Sequence, residues 1–416
     1  MSEHKSNLRP PTEVLTRGFD PKLSVGSARP AVFRSSTYVF SSPEAAERAF
    51  DVVSDRAQPL PGEHIDLVYS RLNHPNAEIL EDQVTPLEHG AGSALVFNSG
   101  MAAIMTAMFT FLRPGSTVVY TVPIYGGTQH LIRDFLPLWG VTGIPVPAGA
   151  GARLDEVIRA ASPTVVLIET PANPTLTMTD IRRACRTASA LPAENGHGRP
   201  LVIVDNTLLG PSFQHPLVCG ADMVVYSATK YLSGFSDMIA GVALSADPEV
   251  MRQVRAKRNL FGNILQPDEC WMLDGRLPTV SLRMNRASKN AQRIAEQLAR
   301  HPNVLKMNYP TLFADEEQRS IFRSQCDYPG AMFSMEVRDS KRGAFDFLRS
   351  LRIARNAVSL GGVETLVCHP KTTTHSGFTE EEFRVAGVTD GLVRASIGIE
   401  DWRDLLGDFE QALNCV

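Results

Sequence analysis

Lys230 stands directly after an apolar run, in VVYSATKYLSG (224–234), with Ser227 and Thr229 on the same turn. Another apolar run, LVIVD (201–205), ends on Asp205. Two more runs lead into NSGMAAIMTAMF (98–109), which opens a helical pattern at Gly100 and Met101, and into PIYGGT (123–128), which carries Tyr125. A lysine amine can form a Schiff base, and a carboxylate can keep a ring nitrogen protonated. Hydroxyls and the first amides of a helix favour an anion. Pyridoxal phosphate (PLP) chemistry requires this set: Lys230 for the aldehyde and Asp205 for the pyridine nitrogen. Gly100, Met101, Ser227 and Thr229 suit the phosphate, and Tyr125 the face of the ring. Each residue alone has an ordinary explanation as a surface lysine, a cap or a helix start. It is their succession at consecutive run ends that points to a site.

The elements that must position these residues follow from the hydrophobic pattern. Short apolar runs at 94–97, 117–121, 164–170, 201–205, 222–227 and 239–245 alternate with helical stretches. Continuous Val/Ile/Leu runs suit strands buried on both faces of a mostly parallel sheet, where ligands bind beyond the carboxyl ends. Glu169 and Asn173 also fall at such an end. Residues 1–66 are irregular, rich in Pro and Ser, and read as an arm. NAEILEDQVTPLEHG (76–90) predicts a helix closed by Gly90, with Pro86 at a kink or boundary. LPTVSLRMNRASKNAQRIAEQLARHPNV (277–304) predicts a long helix bridging to a smaller α+β unit. The expected division is an arm (1–66), a large domain (67–270) and a C-terminal domain (271–416).

Composition excludes several classes. A formal charge of −4 and a pI of about 6.2 give no footprint for nucleic acid or an anionic membrane. Six scattered cysteines without a CxxC pair fit a reducing compartment. The polar start lacks the apolar core of a signal peptide, and no run approaches the ~20 apolar residues of a membrane span. A cytoplasmic location is expected. GAGARL (149–154) and GAGSAL (90–95) lack the third glycine of a dinucleotide fingerprint; no P-loop, HExxH or strand-led GxSxG is present, and no metal-ligand spacing.

The segment ADMVVYSATKYLSGFSDMIAG (221–241) resembles the lysine motif of the Cys/Met-metabolism group of PLP enzymes, that of cystathionine γ-synthase and cystathionine γ-lyase. The resemblance extends through YSRLNHPNAEILE, FNSGMAAI, PIYGGT, IETPANPTL, DNTLLGP, AVSLGGVETLVCHP and LVRASIGIEDWRDLLGDFEQAL. It implies an α/β subunit of PLP-dependent transferase fold type I (aminotransferase-like). Its large domain would have a mostly parallel, seven-stranded type of sheet, beside a smaller α+β C-terminal domain. It also implies that Lys230 carries the cofactor and shuttles the substrate's α proton, that Asp205 pairs with the pyridinium nitrogen and that Tyr125 stacks on the ring. Gly100, Met101, Ser227 and Thr229 would hold the phosphate. Tyr69 and Arg71 would reach the phosphate of a neighbouring subunit, so a homodimer is the minimum assembly and a homotetramer is expected. Arg394 would grip the substrate carboxylate, assisted by Asn173 and Ser359.

The implied reaction removes the α proton and then a β proton, so that a substituent leaves the γ carbon. Water then gives 2-oxobutyrate and ammonia (γ-elimination), or a nucleophilic co-substrate adds at the γ carbon (γ-replacement). Replacement on a homoserine-type amino acid is the leading expectation. A γ-lyase for a cystathionine-, methionine- or canavanine-type amino acid is the alternative, with β-elimination of cystathionine or a non-catalytic PLP-binding protein more distant. Four positions depart from the family pattern. Gly127 replaces the cysteine of methionine γ-lyases, and Val358 the acidic residue of cystathionine γ-lyases. Phe235 stands at a place that is often histidine, and Lys371 where a small residue is usual. Lys371 is expected either to line the distal pocket, meeting a carboxylate or keto group of a co-substrate, or to be a solvent-exposed loop lysine.

Overall fold

The structure, a computed structural model, describes residues 8–192 and 198–416; the first seven residues of the expected arm lie outside it. Seven strands form the larger sheet: β1 (Ser93–Phe97), β2 (Thr117–Val122), β3 (Thr142–Pro147), β4 (Val165–Glu169), β5 (Leu201–Asp205), β6 (Met223–Ser227) and β7 (Gly241–Ser245). Their order is β1-β7-β6-β5-β4-β2-β3, with β7 antiparallel to both of its neighbours and the remaining pairs parallel. Alternate residues point to opposite faces. Val119, Val166, Ile168, Val202 and Val204 therefore pack under the helices Gly151–Ala161 and Ile181–Ser189. Val118, Leu167, Ile203 and Val225 pack on the other side, against Gly100–Phe111 and Pro248–Phe261. Burial of both faces is why these strands read as unbroken apolar runs.

Six of the seven strands coincide with the runs named from sequence. The seventh, β3, is TGIPVP, whose Pro145 and Pro147 hide its strand character. It lies at the sheet edge, where a missing amide donor is tolerated.

The second sheet has five strands: β8 (Val304–Asn308), β9 (Met332–Val337), β10 (Arg355–Asn356), β11 (Leu366–Cys368) and β12 (Leu392–Ser396), ordered β10-β11-β12-β9-β8. Its core gathers Tyr309, Phe333, Phe347 and Phe409 under the helices Ser340–Ser350 and Trp402–Leu413. The long helix runs over Val280–Leu298, shorter than the 277–304 expected; the chain turns at Pro302 and enters β8. Val280 packs in a large-sheet cluster, whereas Met284, Ala287 and Ile294 pack in the second core, so one helix serves both. The 76–90 stretch is helical over Pro75–Val84 and then tightens into a 3₁₀ turn holding Pro86.

Residues 8–66 hold the helix Pro43–Val53 and otherwise lack long elements; Leu23, Val25 and Val39 are largely exposed. Among the described residues, no helix is long and apolar enough to cross a membrane.

Candidate active site

The carboxyl ends of β4, β5 and β6 and the start of the helix Gly100–Phe111 open onto one cavity of about 320 Å³, which Arg394 of β12 faces from the second sheet. Lys230 reaches it on the turn after β6, where its amide donates to the Ser227 carbonyl. Its Nζ donates to Ser359 Oγ at 3.0 Å. Burial, with Arg394 nearby, lowers Lys230 to about 8, so a sizeable share of the amine is neutral near physiological pH.

Asp205 ends β5, and Glu169, its neighbour in parallel register, ends β4. Asp205 Oδ1 accepts from the Thr207 amide at 3.0 Å and the Thr207 hydroxyl at 2.6 Å, while Thr207 Oγ1 accepts from the Ser227 amide. Burial nevertheless pushes Asp205 up, because two neutral donors do not replace a cation. Burial, with the Asp205 charge beside it, pushes Glu169 up to about 8, against the pull of two backbone amides.

Arg394 is 3% exposed. Its Nη1 donates to Asn173 Oδ1 at 3.2 Å and its Nη2 to the Ser359 carbonyl at 2.9 Å, while Nε has no partner among the described residues. A buried guanidinium with a spare donor facing a cavity is equipped to take an anionic group.

The residues fit PLP. Asp205 is a buried carboxylate that a ring cation would complete. The amides of Gly100 and Met101 begin their helix and so have no intrahelical acceptor. A Cβ on Gly100 would lie 2.9 Å from Ser227 Cβ, so glycine keeps this cradle open. The Ser227 hydroxyl makes no hydrogen bond among the described residues, leaving it free for a phosphate. Thr229 also lines the cavity, but its hydroxyl is shared with Ala240, donating to the carbonyl at 3.2 Å and accepting from the amide at 3.0 Å.

Tyr125 is half-exposed at the cavity wall, and its amide donates to Glu169 Oε2 at 2.7 Å. Tyr69 and Arg71 do not come to the cavity of their own chain. Tyr69 is 42% exposed beside an isolated bridge to Thr37, and Arg71 donates to the Asn259 carbonyl. Phe235 is exposed, flanked by the Arg276 and Arg283 guanidinium groups at 5.0 and 5.6 Å, and is not part of the wall.

Both expectations for Lys371 need correction. Its ammonium lies 3.2 Å from Asp390 and 3.3 Å from Glu380, above the Phe383 ring, with its side chain 17% exposed. Two carboxylates already hold the charge, so it neither lines the cavity nor hangs free.

Sequence reasoning assigned no role to Glu169, Thr207 or His375. Glu169 carried the same signal as Asp205, an acid at the end of an apolar run. His375 carried none: it is buried, with Nε2 3.1 Å from the Asn173 carbonyl and Nδ1 2.8 Å from Thr374 Oγ1. Burial and the Arg394 charge lower it to about 4, keeping it neutral. Among the described residues no group of His, Cys, Asp and Glu is placed to hold a metal ion.

Comparison with known proteins agrees with this geometry. The family model described as Cys/Met metabolism PLP-dependent enzyme matches residues 11–414. The chain is 36% identical over 414 residues to an L-methionine gamma-lyase of Pseudomonas putida, covering 99% of each. It is 35% identical over 412 residues to a cystathionine gamma-synthase of Mycobacterium tuberculosis, covering 99% of this chain and 98% of that protein. Among solved structures, a cystathionine gamma synthase of Xanthomonas oryzae pv. oryzae in complex with cystathionine superposes with a TM-score of 0.87 at 31% identity, over 98% of both chains.

Proposed function

This chain belongs to the Cys/Met metabolism PLP-dependent enzymes, and on that premise we propose that it acts on a homoserine-type amino acid by replacing or eliminating its γ substituent, replacement being the leading reading. One observation carries the proposal: the Lys230 amine and the Arg394 clamp are both tied to Ser359, through its hydroxyl and its carbonyl. An α-amino acid whose carboxylate rests on Arg394 then has its α carbon held near a base of suitable basicity.

Bound PLP supplies an electron sink for the charge left when the α proton departs. Lys230 holds the cofactor, takes the α proton and returns it. Asp205 keeps the ring nitrogen protonated. Tyr125 would cover the ring, and Gly100, Met101, Ser227 and Thr229 would hold the phosphate. Asn173 and Ser359 orient Arg394. Tyr69 and Arg71, standing away from their own cavity, serve a neighbouring subunit, which makes the working form at least a dimer and, by family analogy, a tetramer. We further infer a cytoplasmic location and keep the division at 66/67 and 270/271.

The free part of the cavity wall, with Ile104, Ile239 and Val358, carries no charge. This favours an uncharged γ substituent such as an ester or a thioether. The same observation supports a second reading, γ-elimination from a thioether amino acid, in keeping with the similarity to an L-methionine gamma-lyase; Gly127, in place of the cysteine expected there, weighs against methionine itself. Product analysis by mass spectrometry decides. The loaded enzyme is offered O-acetylhomoserine, O-succinylhomoserine, cystathionine, methionine and canavanine, with and without thiol or keto-acid nucleophiles. A new adduct that requires one nucleophile establishes replacement; 2-oxobutyrate regardless of nucleophile establishes elimination and overturns the leading reading.

A further inference from the structure

We propose that Glu169 is a positioning residue, one buried carboxylate that sets Tyr125 and the Asn173–Arg394 pair relative to each other; this rests on the functional reading above. Glu169 is 4% exposed and spends its two oxygens on two different loops. Oε2 accepts from the amide of Tyr125, on the loop after β2, at 2.7 Å. Oε1 accepts from the amide of Asn173, on the loop after β4, at 2.9 Å. Those loops carry the aromatic ring that would cover the cofactor and the side chain that orients the carboxylate clamp.

Asn173 is gripped on the other side of its backbone as well. Its carbonyl can only accept, so His375 Nε2 is the donor at 3.1 Å, and Nδ1 takes the Thr374 proton at 2.8 Å. With amide and carbonyl both held, Asn173 Oδ1 meets Arg394 at a set place, 3.2 Å away. Tyr125 is likewise held at both ends of its backbone, since its carbonyl accepts from the Gln129 amide at 3.0 Å, while its side chain makes no hydrogen bond among the described residues. The Glu169 bond to its amide is what ties this turn to the loop that carries Asn173.

The chemistry of the pair also explains why an acid is used. A glutamine has the same shape, but its nitrogen only donates, so it satisfies one of the two amides and opposes the other. Keeping both bonds requires two accepting oxygens, which a carboxyl group supplies and an amide does not, even with Asp205 beside it in the sheet.

The test uses the PLP-loaded enzyme and its Glu169→Gln variant. Two quantities are read besides turnover: the visible circular dichroism of the bound cofactor, which reports ring orientation, and the dissociation constant for glycine, which has a carboxylate but no γ carbon. The expected result is normal cofactor content with a changed dichroism signal and a glycine constant raised by about tenfold, the worth of one hydrogen bond. If the glutamine variant does not fold, Glu169→Asp replaces it. Its carboxylate is one methylene shorter and cannot span both amides, so the same paired change is expected. Loss of thermal stability alone, or a change in only one of the two signals, overturns the inference. A wild-type enzyme that fails to bind PLP or glycine removes the functional reading, and the inference with it.

Discussion

Lys230 and Ser359 join the two sheets at the cavity: an amine on the turn after β6 donates to a hydroxyl on the chain between β10 and β11, 3.0 Å away. The Ser359 carbonyl accepts from Arg394, so one residue touches both the proposed base and the proposed clamp.

Ser359→Ala keeps the carbonyl and removes only the hydroxyl. The expected outcome is a kcat reduced by roughly fivefold with KM little changed, since a single hydrogen bond is worth about 1 kcal/mol. Steady-state kinetics check this. A raised KM with unchanged kcat would place the hydroxyl with the clamp instead.

Cofactor uptake has a definite pH sign. Only the neutral amine attacks an aldehyde, so the rate at which apoprotein takes up PLP rises with pH and levels off above about 8, rather than near the ordinary lysine value of 10.5. Arg394→Met removes a cation that disfavours the ammonium, so the midpoint moves upward. Absorbance-detected uptake on both sides of pH 8 measures both. A downward shift in the variant would contradict the assignment.

Gly127→Cys probes the space behind Tyr125. A Cβ there would lie 2.7 Å from Tyr125 Cε1 and 3.1 Å from Met101 Sδ, so the ring must move. Replacing a helical glycine recovers up to about 1 kcal/mol of backbone cost, leaving stability nearly level. The expected change is in the cofactor's visible circular dichroism and in turnover; an identical spectrum would show that the ring does not depend on this gap.

Val358→Glu puts a carboxylate on the uncharged wall. Substrates with a distal ammonium, such as cystathionine, gain about tenfold in kcat/KM relative to a neutral thioether, through one charge-assisted hydrogen bond of about 1.5 kcal/mol. Competition between the two substrates reads the ratio. No change would mean that the γ substituent points elsewhere.

Lys371→Ala is expected to leave co-substrate KM and selectivity unchanged, because its charge is already held by Asp390 and Glu380. Loss of these ion pairs near the surface changes stability by at most about 1 kcal/mol. A selective rise in co-substrate KM would return Lys371 to the pocket.

Strand ends carry a local signal, an apolar run that stops on a polar residue. That signal made Lys230, Asp205 and Ser227 legible in the sequence and, with the family resemblance, the fold class too. It failed at β3, where Pro145 and Pro147 mask an edge strand, and at the long helix, where periodicity continues past the turn at Pro302. Arg394 lies inside an apolar strand with nothing around it to mark it; only the resemblance pointed there. Its partner Asn173 is 221 positions away.

The sequence by itself determined which residues stop each buried strand, because that pattern follows from two-faced burial over a few neighbours. The tertiary structure alone decided that Glu169 spans two loops, that His375 locks Asn173, and that Lys371 spends its charge on Glu380 and Asp390. Only the His375–Asn173 pairing crosses between the two sheets; the others join separate loops on one side, and in every case partners brought together from distant segments leave no periodic trace in either one.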